Sequence, residues 1–577
     1  MRDHRSAGVR RQCAAALACS MLWGAHGHAQ SPISGAQVPE RRPEFSPLPE
    51  LKPRPPEPAF NLPTLPALRD QNRLSASLRV VVKRFAFSGN TVFSDEALRA
   101  LISEYEGREL GNVEIETARL RLTEHYIKAG YINSGALLPD QDVADGVLRF
   151  QIVEGRLKDI VVQGSNRFAP EFITGRVAKD ADAPLRLPAL QERLQLLAQN
   201  PLIDRLNAEL APGERLGEAV LRLDVSEAAP YEVGYRFSNT RSPSIGSYLH
   251  ELRASARNLF GRGVGVGLRA GHTRGLDEYS AALIVPVTRY DTLFTARYEN
   301  NRAVVIEQPF GPLDIVSRSD LLEIGLSQPL YRTLDQELAV SVHYADRESE
   351  TFLLGQPFSF TPGVADARSR VRSARLTLEY FHRSESQVFS GRVWVKQGLD
   401  LGGVTINPNV ADSQFVTRFV QAQWVRRLSS LGNQILFRYD RQFSNGKLLP
   451  SDKFALGGLE SVRGYRENRL VKDQGWFGSL EYRHPVAHWV PAAISTRSED
   501  GAIQLVAFVD KGRAYDDREI STGIDRLASV GVGVRWDVVP GVYGRFYYAK
   551  AQNKISVPNA DPQDRGLHFL LNVSKAF

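Results

Sequence analysis

A two-residue alternation of apolar and polar side chains runs through the C-terminal three-fifths of this 577-residue chain. In its first segment, Tyr231, Val233, Tyr235 and Phe237 alternate with Glu232, Gly234 and Arg236. A period of two indicates a strand with two unlike faces. About sixteen such segments can be marked, each close to the roughly ten residues that a membrane-spanning strand needs. The alternation therefore predicts a membrane β-barrel of sixteen antiparallel strands over residues 229–577.

The final segment, from Leu567 to Phe577, ends on an aromatic residue. In a soluble protein such a strand would leave an aggregation-prone edge, whereas closure into a barrel pairs every strand with a neighbour. We expect Phe577 to end the last membrane strand and to act as the C-terminal assembly signal of the barrel. An even number of strands would place both ends of the barrel on the periplasmic side of an outer membrane.

Length, composition and charge narrow the class of protein. The chain is too long for one ordinary soluble domain. It has no apolar run of the length that a membrane helix requires, and a mean hydropathy of −0.27 is compatible with strands that are apolar on one side only. The formal charge of +7 is scattered along the chain, so nucleic acid is not an expected partner.

The N-terminus predicts export from the cytoplasm. Arginines precede an apolar stretch over residues 13–23, and small residues follow at Gly27 and Ala29. This order is typical of a secretory signal peptide, which we place at residues 1–29. Both cysteines, Cys13 and Cys19, lie within it, so the mature chain is expected to contain no disulfide or cysteine-based site. Residues 30–77 are rich in proline, a composition that favours an extended linker.

Two similar units precede the predicted barrel, over residues 78–155 and 156–228. Each has a strand, a turn, two helices and two further strands, and the turns at Ser88-Gly89-Asn90 and Gly164-Ser165-Asn166 match. One helix of the first unit places Ile115, Ala118, Leu122 and Tyr126 on a single face. The internal repeat predicts two copies of one α+β domain.

Known catalytic and nucleotide-binding motifs are absent from the sequence. It contains no P-loop, zinc-protease or nucleophile-elbow pattern. The eleven histidines are dispersed, as solvated or structural histidines usually are. We therefore expect no enzymatic activity, no cofactor and no metal site.

Two short motifs carry the most specific signal. A connection over about residues 444–475 is long for a turn and suggests a functional loop. It contains Val462, Arg463, Gly464 and Tyr465. Further along, Phe508, Asp510 and Gly512 share one strand face, whereas Ile503, Leu505, Ala507 and Val509 on the opposite face are apolar. Asp510 is therefore predicted to point into the barrel lumen.

The two motifs together resemble those of the two-partner secretion transporters, the TpsB family of haemolysin and haemagglutinin secretion-activation proteins. This family belongs to the outer-membrane insertase superfamily, and the two N-terminal units resemble its periplasmic POTRA domains. The resemblance covers nearly all of the mature chain. It implies a sixteen-stranded barrel in the bacterial outer membrane, with the sixth extracellular loop folded back into the lumen. The loop would be locked to the barrel by pairing of Arg463 with Asp510.

The chemistry of the two side chains favours this pairing. Arginine can hold a carboxylate through two parallel hydrogen bonds, and an isolated charge inside a crowded lumen is costly. The alternative is that Arg463 is a solvated loop residue and Asp510 an unpaired pore-lining charge. The family commonly carries a pore-plugging N-terminal helix, but Pro32, Pro39, Pro43, Pro47 and Pro49 argue against a long helix here.

The resemblance implies that the chain translocates an unfolded partner exoprotein of the adhesin, haemolysin or contact-dependent toxin type, captured by the POTRA domains. Other expected partners are outer-membrane lipid, the barrel-assembly machinery and periplasmic chaperones. Three rival functions remain at this stage. A barrel-assembly insertase usually has more POTRA units, a passive porin needs neither the units nor the loop motif, and a barrel enzyme would need a nucleophile and base.

Overall fold

A computed structural model describes residues 60–61 and 79–577, except 144, 179–183, 362–363, 365, 408–409, 517–523 and 554–559. The predicted signal peptide, the prolines that bear on a plug helix and most of the linker lie outside the described residues. The described chain forms two α+β units followed by a closed antiparallel barrel. Among these residues, no helix combines the length and the apolar character needed to cross a membrane.

The first unit follows a two-residue strand, β1 (Phe60–Asn61). It consists of β2 (Arg79–Val82), β3 (Arg84–Ser88), α1 (Asp95–Ile102), β4 (Arg108–Gly111), α2 (Asn112–Lys128), β5 (Gly135–Leu137) and β6 (Val147–Val153). The sheet has the order β3-β6-β5. Its core contains Phe85, Leu98, Leu122 and Phe150, all without solvent exposure.

The second unit repeats the order of the first, without counterparts of the short strands β2 and β4. It consists of β7 (Arg156–Gln163), α3 (Pro170–Val177), α4 (Leu187–Ala198), β8 (Ile203–Pro212) and β9 (Glu218–Glu227). Its sheet has the order β1-β8-β9-β7, in which β1 pairs in parallel with β8. Ile173, Leu194 and Leu221 are fully buried in its core. The predicted β-α-α-β-β repeat is confirmed.

In each unit, one glutamate carboxylate accepts hydrogen bonds from the turn that precedes the first helix. Glu154 accepts hydrogen bonds from the backbone N–H groups of Thr91 and Val92, at 2.7 and 2.8 Å. Glu227 accepts bonds from both the backbone N–H and Nε of Arg167, each at 2.7 Å. Burial alone would raise the pKa of both carboxyl groups, but the hydrogen bonds outweigh it and leave each pKa below its ordinary value.

The rest of the chain is almost entirely β-structure. Its strands are β10 (Tyr231–Ser238), β11 (Leu249–Leu259), β12 (Val264–Thr273), β13 (Leu276–Pro286), β14 (Leu293–Val304), β15 (Val316–Arg332), β16 (Gln336–Leu353), β17 (Gln356–Pro357), β18 (Arg368–Arg383), β19 (Gln387–Gly398), β20 (Val416–Arg427), β21 (Gln434–Ser444), β22 (Phe454–Leu456), β23 (Leu470–Lys472), β24 (Gln474–His488), β25 (Ala502–Tyr515), β26 (Arg526–Val539), β27 (Val542–Ala551) and β28 (Leu567–Ala576).

Sixteen of these strands form the closed wall, each antiparallel to its neighbours, while β17 is a two-residue extension of the β16 hairpin. The wall closes where β10 pairs with β28. There Tyr231 and Phe577 exchange backbone hydrogen bonds of 3.2 and 3.0 Å. The predicted sixteen-stranded barrel behind two α+β units is confirmed.

The two faces of the wall differ as the alternation predicts. Outward positions carry large apolar side chains such as Leu326 and Val573, exposed by 52% and 53%. Inward positions carry buried charged groups such as Glu251 and Glu299, which pair with lumen arginines. The apolar outer face suits lipid, and the lumen is polar.

The second unit is docked on the periplasmic rim of the barrel. The backbone N–H of Ala169, ahead of α3, donates to the carbonyl of Gly261 in the turn after β11, at 2.9 Å. Arg176 of α3 donates to Asp291 in the next periplasmic turn, also at 2.9 Å. Asp291 in turn accepts from Arg332 at 2.9 Å. The second unit therefore contacts the turns of two neighbouring hairpins, and Arg332 links the second of these turns to a third hairpin.

Candidate functional site: the loop–wall clasp

The connection between β21 and β24, residues 445–473, folds back into the barrel rather than projecting outward. Within it, β22 and β23 form a small hairpin. Its base is tied to the wall because Lys396 of β19 donates to Asp452 at 2.7 Å, and both groups are buried. The side-chain amide of Gln442 also donates to the carbonyls of Asp452 and Asp473. We call this segment the lumen loop.

Arg463, at the tip of the lumen loop, makes a bidentate contact with Asp510 of β25. Nε and Nη2 of Arg463 donate to Oδ2 and Oδ1 of Asp510, at 2.8 and 2.9 Å. The backbone N–H of Arg463 adds a third bond at 3.1 Å. Arg463 is 6% exposed and Asp510 is not exposed at all. The family resemblance implies this pairing, and the structure brings the two side chains into direct contact.

A second carboxylate binds the same guanidinium. Nη1 of Arg463 donates to Glu481 of β24 at 2.6 Å, and Nη2 reaches the Ser479 hydroxyl at 3.2 Å. Glu481 also accepts from Arg483 at 2.7 Å, so its charge is shared between two arginines. We refer to Arg463, Asp510 and Glu481 as the clasp. Because all three groups are buried, breaking one contact would leave an unpaired charge inside the lumen.

Phe508 and Gly512 shape the wall around Asp510. The Arg463 guanidinium carbon lies 3.4 Å from the centre of the Phe508 ring, a cation–π arrangement. A Cβ at Gly512 would lie 3.0 Å from Leu456 of β22 and 2.9 Å from the carbonyl oxygen of Trp476. The glycine therefore leaves the space in which the lumen loop packs against β25.

Gly464 allows the tip of the loop to turn. Its φ is +89°, and a Cβ there would lie 2.9 Å from both Cβ and the carbonyl oxygen of Ala549. Its backbone N–H donates to Nε2 of His568 at 3.0 Å. His568 is buried on β28, beside the seam of the barrel. A side chain at position 464 would separate the tip from the wall.

Val462 and Tyr465 complete the attachment of the tip. Val462 is fully buried in an apolar cluster formed by Trp394, Phe419, Phe454, Leu456, Tyr465, Phe477, Ala514 and Leu527. The Tyr465 hydroxyl donates to the carbonyl of Ala528 on β26 at 2.9 Å. The four residues of the loop motif thus contact the wall through four different kinds of interaction.

A second arginine of the loop, Arg466, was not singled out from the sequence. It pairs with Asp564 in the loop before β28, with one hydrogen bond of 2.8 Å, and with Glu307 in the loop after β14, at 2.7 Å. Glu481, Ser479 and His568 were also missed. The alternation already places Ser479, Glu481 and Arg483 on the inward face of β24, but it does not say which strand lies opposite them.

Comparison with known proteins places these features in a family. The model for haemolysin secretion/activation protein ShlB/FhaC/HecB matches residues 217–536, and the model for the ShlB-type POTRA domain matches residues 80–155. The outer membrane transporter CdiB of Dickeya dadantii is 23% identical over 79% of this chain and 80% of its own length. The hemolysin transporter protein ShlB of Serratia marcescens is 25% identical over 67% and 69%.

Two solved structures share the fold. CdiB from Escherichia coli superposes with a TM-score of 0.63 and 19% identity, covering 89% of this chain and 93% of its own. CdiB from Acinetobacter baumannii gives 0.57 and 17%, covering 90% and 95%. At these identities the likeness concerns the fold.

The fold and the clasp define an outer-membrane transporter with two periplasmic POTRA domains. Because one family model matches more than half of the chain, the protein belongs to the haemolysin secretion/activation family, ShlB/FhaC/HecB. It is a two-partner secretion transporter, which moves a partner exoprotein through its barrel. The predicted outer-membrane location, with the POTRA domains in the periplasm, is confirmed. The insertase and porin alternatives are not favoured.

Proposed function

We propose that the clasp holds the lumen loop in a resting position and that passage of the partner exoprotein requires the loop to move. The observation that carries this proposal is the burial of Arg463 between Asp510 and Glu481 inside the lumen. A loop held by two carboxylates and an aromatic ring occupies space that a translocating chain needs. The clasp contains no catalytic arrangement, and we propose that export involves no chemistry by this chain.

We further propose that the POTRA domains capture an extended segment of the exoprotein. Strand addition to a sheet edge supplies backbone hydrogen bonds with little sequence demand. In the described residues, β3 and β5 are the edges of the first sheet, and β7 is an edge of the second. Docking of the second unit on the barrel rim would deliver the captured segment to the pore.

The clasp is tested by replacing either partner. Arg463→Ala and Asp510→Ala should each abolish export while leaving folded barrel in the membrane. Secretion of the partner protein into the medium and heat-modifiable migration of the barrel are the two measurements. Arg302→Ala, which removes an exposed arginine from the outer face of β14, is the matched control. Unchanged secretion by both clasp variants would contradict the proposal.

Capture by the POTRA domains has a separate test. Deleting residues 78–227 should stop export and preserve a heat-modifiable barrel. Continued export by that barrel would show that the POTRA domains are dispensable.

The partner is proposed to be a large exoprotein of the adhesin, haemolysin or contact-dependent toxin type. The CdiB, ShlB and haem/hemopexin transporter HuxB names of the relatives are compatible with this range. A very large secreted repeat protein encoded beside this chain would identify it. Roles for the barrel-assembly machinery and periplasmic chaperones stay predictions.

A further inference from the structure

One side of the barrel presents a group of cations on its outer face. Along six neighbouring strands, β20, β21 and β24–β27, the outward positions near the extracellular ends carry Arg418, Arg441, Lys511, Arg513, Arg526 and Lys550. These ends are extracellular because the opposite ends join the short turns on the POTRA side. We call these six residues the outer basic patch.

Strand pairing brings members of the patch side by side. Arg441 is register partner to Trp476, Trp476 to Arg513, and Arg513 to Arg526. Neighbouring strands lie about 5 Å apart, so these side chains form one row across four strands. Lys511 lies two residues along β25 from Arg513 and therefore on the same face. A tryptophan within such a row is typical of the membrane–water boundary.

Carboxylates are scarce around the patch. No outward position of these six strands, all of which the structure describes, carries Asp or Glu. Asp525, in the adjoining loop, pairs with Arg513 at 2.7 Å and lies 3.7 Å from Arg526. Among the described residues, no carboxylate forms an ion pair with Arg418, Arg441, Lys511 or Lys550.

The wall differs at β16 and β18, on the far side of β19 from the patch. There the outward arginines of β18 are matched by acidic residues of β16: Arg370 and Arg372 pair with Asp346, at 2.6 and 3.0 Å, and Arg368 pairs with Glu348. In β16 and β18, therefore, carboxylates match the outward cations. Unmatched positive charge repels itself, so an external anion would stabilise the patch.

An apolar groove begins directly below the patch. It is lined by Leu480, Val509, Val530, Val532, Tyr548 and Lys550, with Ala507 among the lining residues. The small side chain of Ala507 lies between the larger side chains of Tyr482 and Val532 in its register row. Lys550 thus belongs both to the patch and to a groove that faces lipid. This combination suits a ligand with an anionic head and an apolar tail.

We propose that the outer basic patch binds the phosphate groups of a phosphorylated lipid in the outer leaflet, with an acyl chain in the groove below. Arginine matches phosphate geometry through its planar fork, and lysine contributes a point charge. The patch covers the outer side of the strands that carry Asp510 and Glu481 on their inner side. Bound lipid would thereby stiffen the part of the wall to which the lumen loop is attached.

The test compares two triple variants of the full chain. Arg441→Gln, Lys511→Gln and Lys550→Gln together remove three of the four patch cations that form no ion pair with a described carboxylate. Arg302→Gln, Arg318→Gln and Arg368→Gln make the same charge change on the outer face of β14, β15 and β18, outside the patch. Retention of lipid A and of dephosphorylated lipid A by the purified, folded barrel is measured, with inorganic phosphate as competitor. Heat-modifiable migration checks that each barrel is folded.

We expect the patch variant to retain lipid A at least about tenfold less than wild type, since three cations that would contact the lipid phosphates are removed. The variant outside the patch should bind like wild type, and dephosphorylated lipid should bind weakly to all three. Equal losses in the two variants, or equal retention of both lipids, would overturn the proposal. Displacement by inorganic phosphate at the lipid concentration would also overturn it, because the patch would then bind any phosphate.

Discussion

The POTRA units and the barrel bury opposite kinds of side chain. In the units, apolar residues such as Phe150 and Leu221 are completely buried and most charged side chains lie on the surface. In the barrel, Leu326 is half exposed on the outer face while Glu251 and Asp510 have no exposure. The comparison shows that the medium around each region decides which type of side chain is buried there. Water surrounds the units, whereas lipid surrounds the barrel and leaves the lumen to polar groups.

The opposite arrangements have one consequence for energetics. In the units, stability comes from close-packed apolar side chains, so removed volume leaves a cavity. In the barrel, the most sensitive groups are buried charges that satisfy each other, so removal of one leaves the other unpaired. Four predictions use this contrast, beginning with the largest expected effect.

Replacing Arg463 by methionine should destabilise the barrel more than any apolar substitution on its outer face. Asp510 and Glu481 would both lose a buried partner, which typically costs about 3–5 kcal/mol. Urea unfolding of the barrel in lipid vesicles measures the loss, with Arg302→Met as control. A loss equal to that of the control would show that the lumen is wet enough to solvate both carboxylates.

The same leucine-to-alanine change should have unequal effects in the two regions. Leu221→Ala creates a cavity in the core of the second unit and should cost about 2–5 kcal/mol. Leu326→Ala leaves no cavity because lipid fills the vacated space. It should lower the free energy of unfolding by about 1–2 kcal/mol. Helical circular dichroism reports on the units, since all described α-helices lie there. Equal losses of stability in Leu221→Ala and Leu326→Ala would contradict the proposed difference between the two regions.

Introducing a charged side chain should destabilise the barrel more than the second unit, which is the reverse of the leucine-to-alanine result. Leu326→Arg places a cation in the middle of a lipid-facing strand, which costs about 2–4 kcal/mol near the bilayer centre. Leu216→Arg, at an exposed position of the second unit, should change stability by less than about 0.5 kcal/mol. Vesicle unfolding and helical circular dichroism measure the two effects. Similar losses at both sites would mean that Leu326 does not face hydrocarbon.

The smallest expected effect depends on pH. Because the folded-state pKa of Glu154 and of Glu227 is depressed, the stability that each contributes is present above the ordinary carboxyl pKa. It is lost as pH falls through the lowered folded-state pKa. Glu154→Gln should therefore destabilise the first unit by about 1 kcal/mol at neutral pH and make no difference once the carboxyl is protonated.

Helical circular dichroism in urea, repeated at falling pH, measures this dependence. Glu209→Gln, an exposed carboxylate on β8, serves as the control. A Glu154→Gln variant that remained less stable than wild type by the same amount at every pH would contradict the assignment.

Much of the architecture was predictable from local patterns. The two-residue alternation identified the barrel and the face of Asp510, and the repeated order of elements identified two related units. The motif at residues 462–465 singled out the tip of the loop. These features could be predicted because each depends on residues that are close in sequence, within one strand, one turn or one helix face.

The partners of the clasp were only partly predictable. Strand register sets Ser479 opposite Asp510 and Glu481 opposite Phe508, and thereby creates a second carboxylate for Arg463. His568 reaches Gly464 from a strand more than one hundred residues away. Arg466 joins loops that lie on three different hairpins.

The pattern of residues along the chain was therefore sufficient to predict the strand faces, the repeat and the pair of motifs. The closed barrel decided which inward charges meet and which outward cations share one side of the wall. The physical reason is that a strand's period specifies the direction of each side chain, whereas its neighbours across the lumen and along the wall depend on the register and curvature of all sixteen strands together.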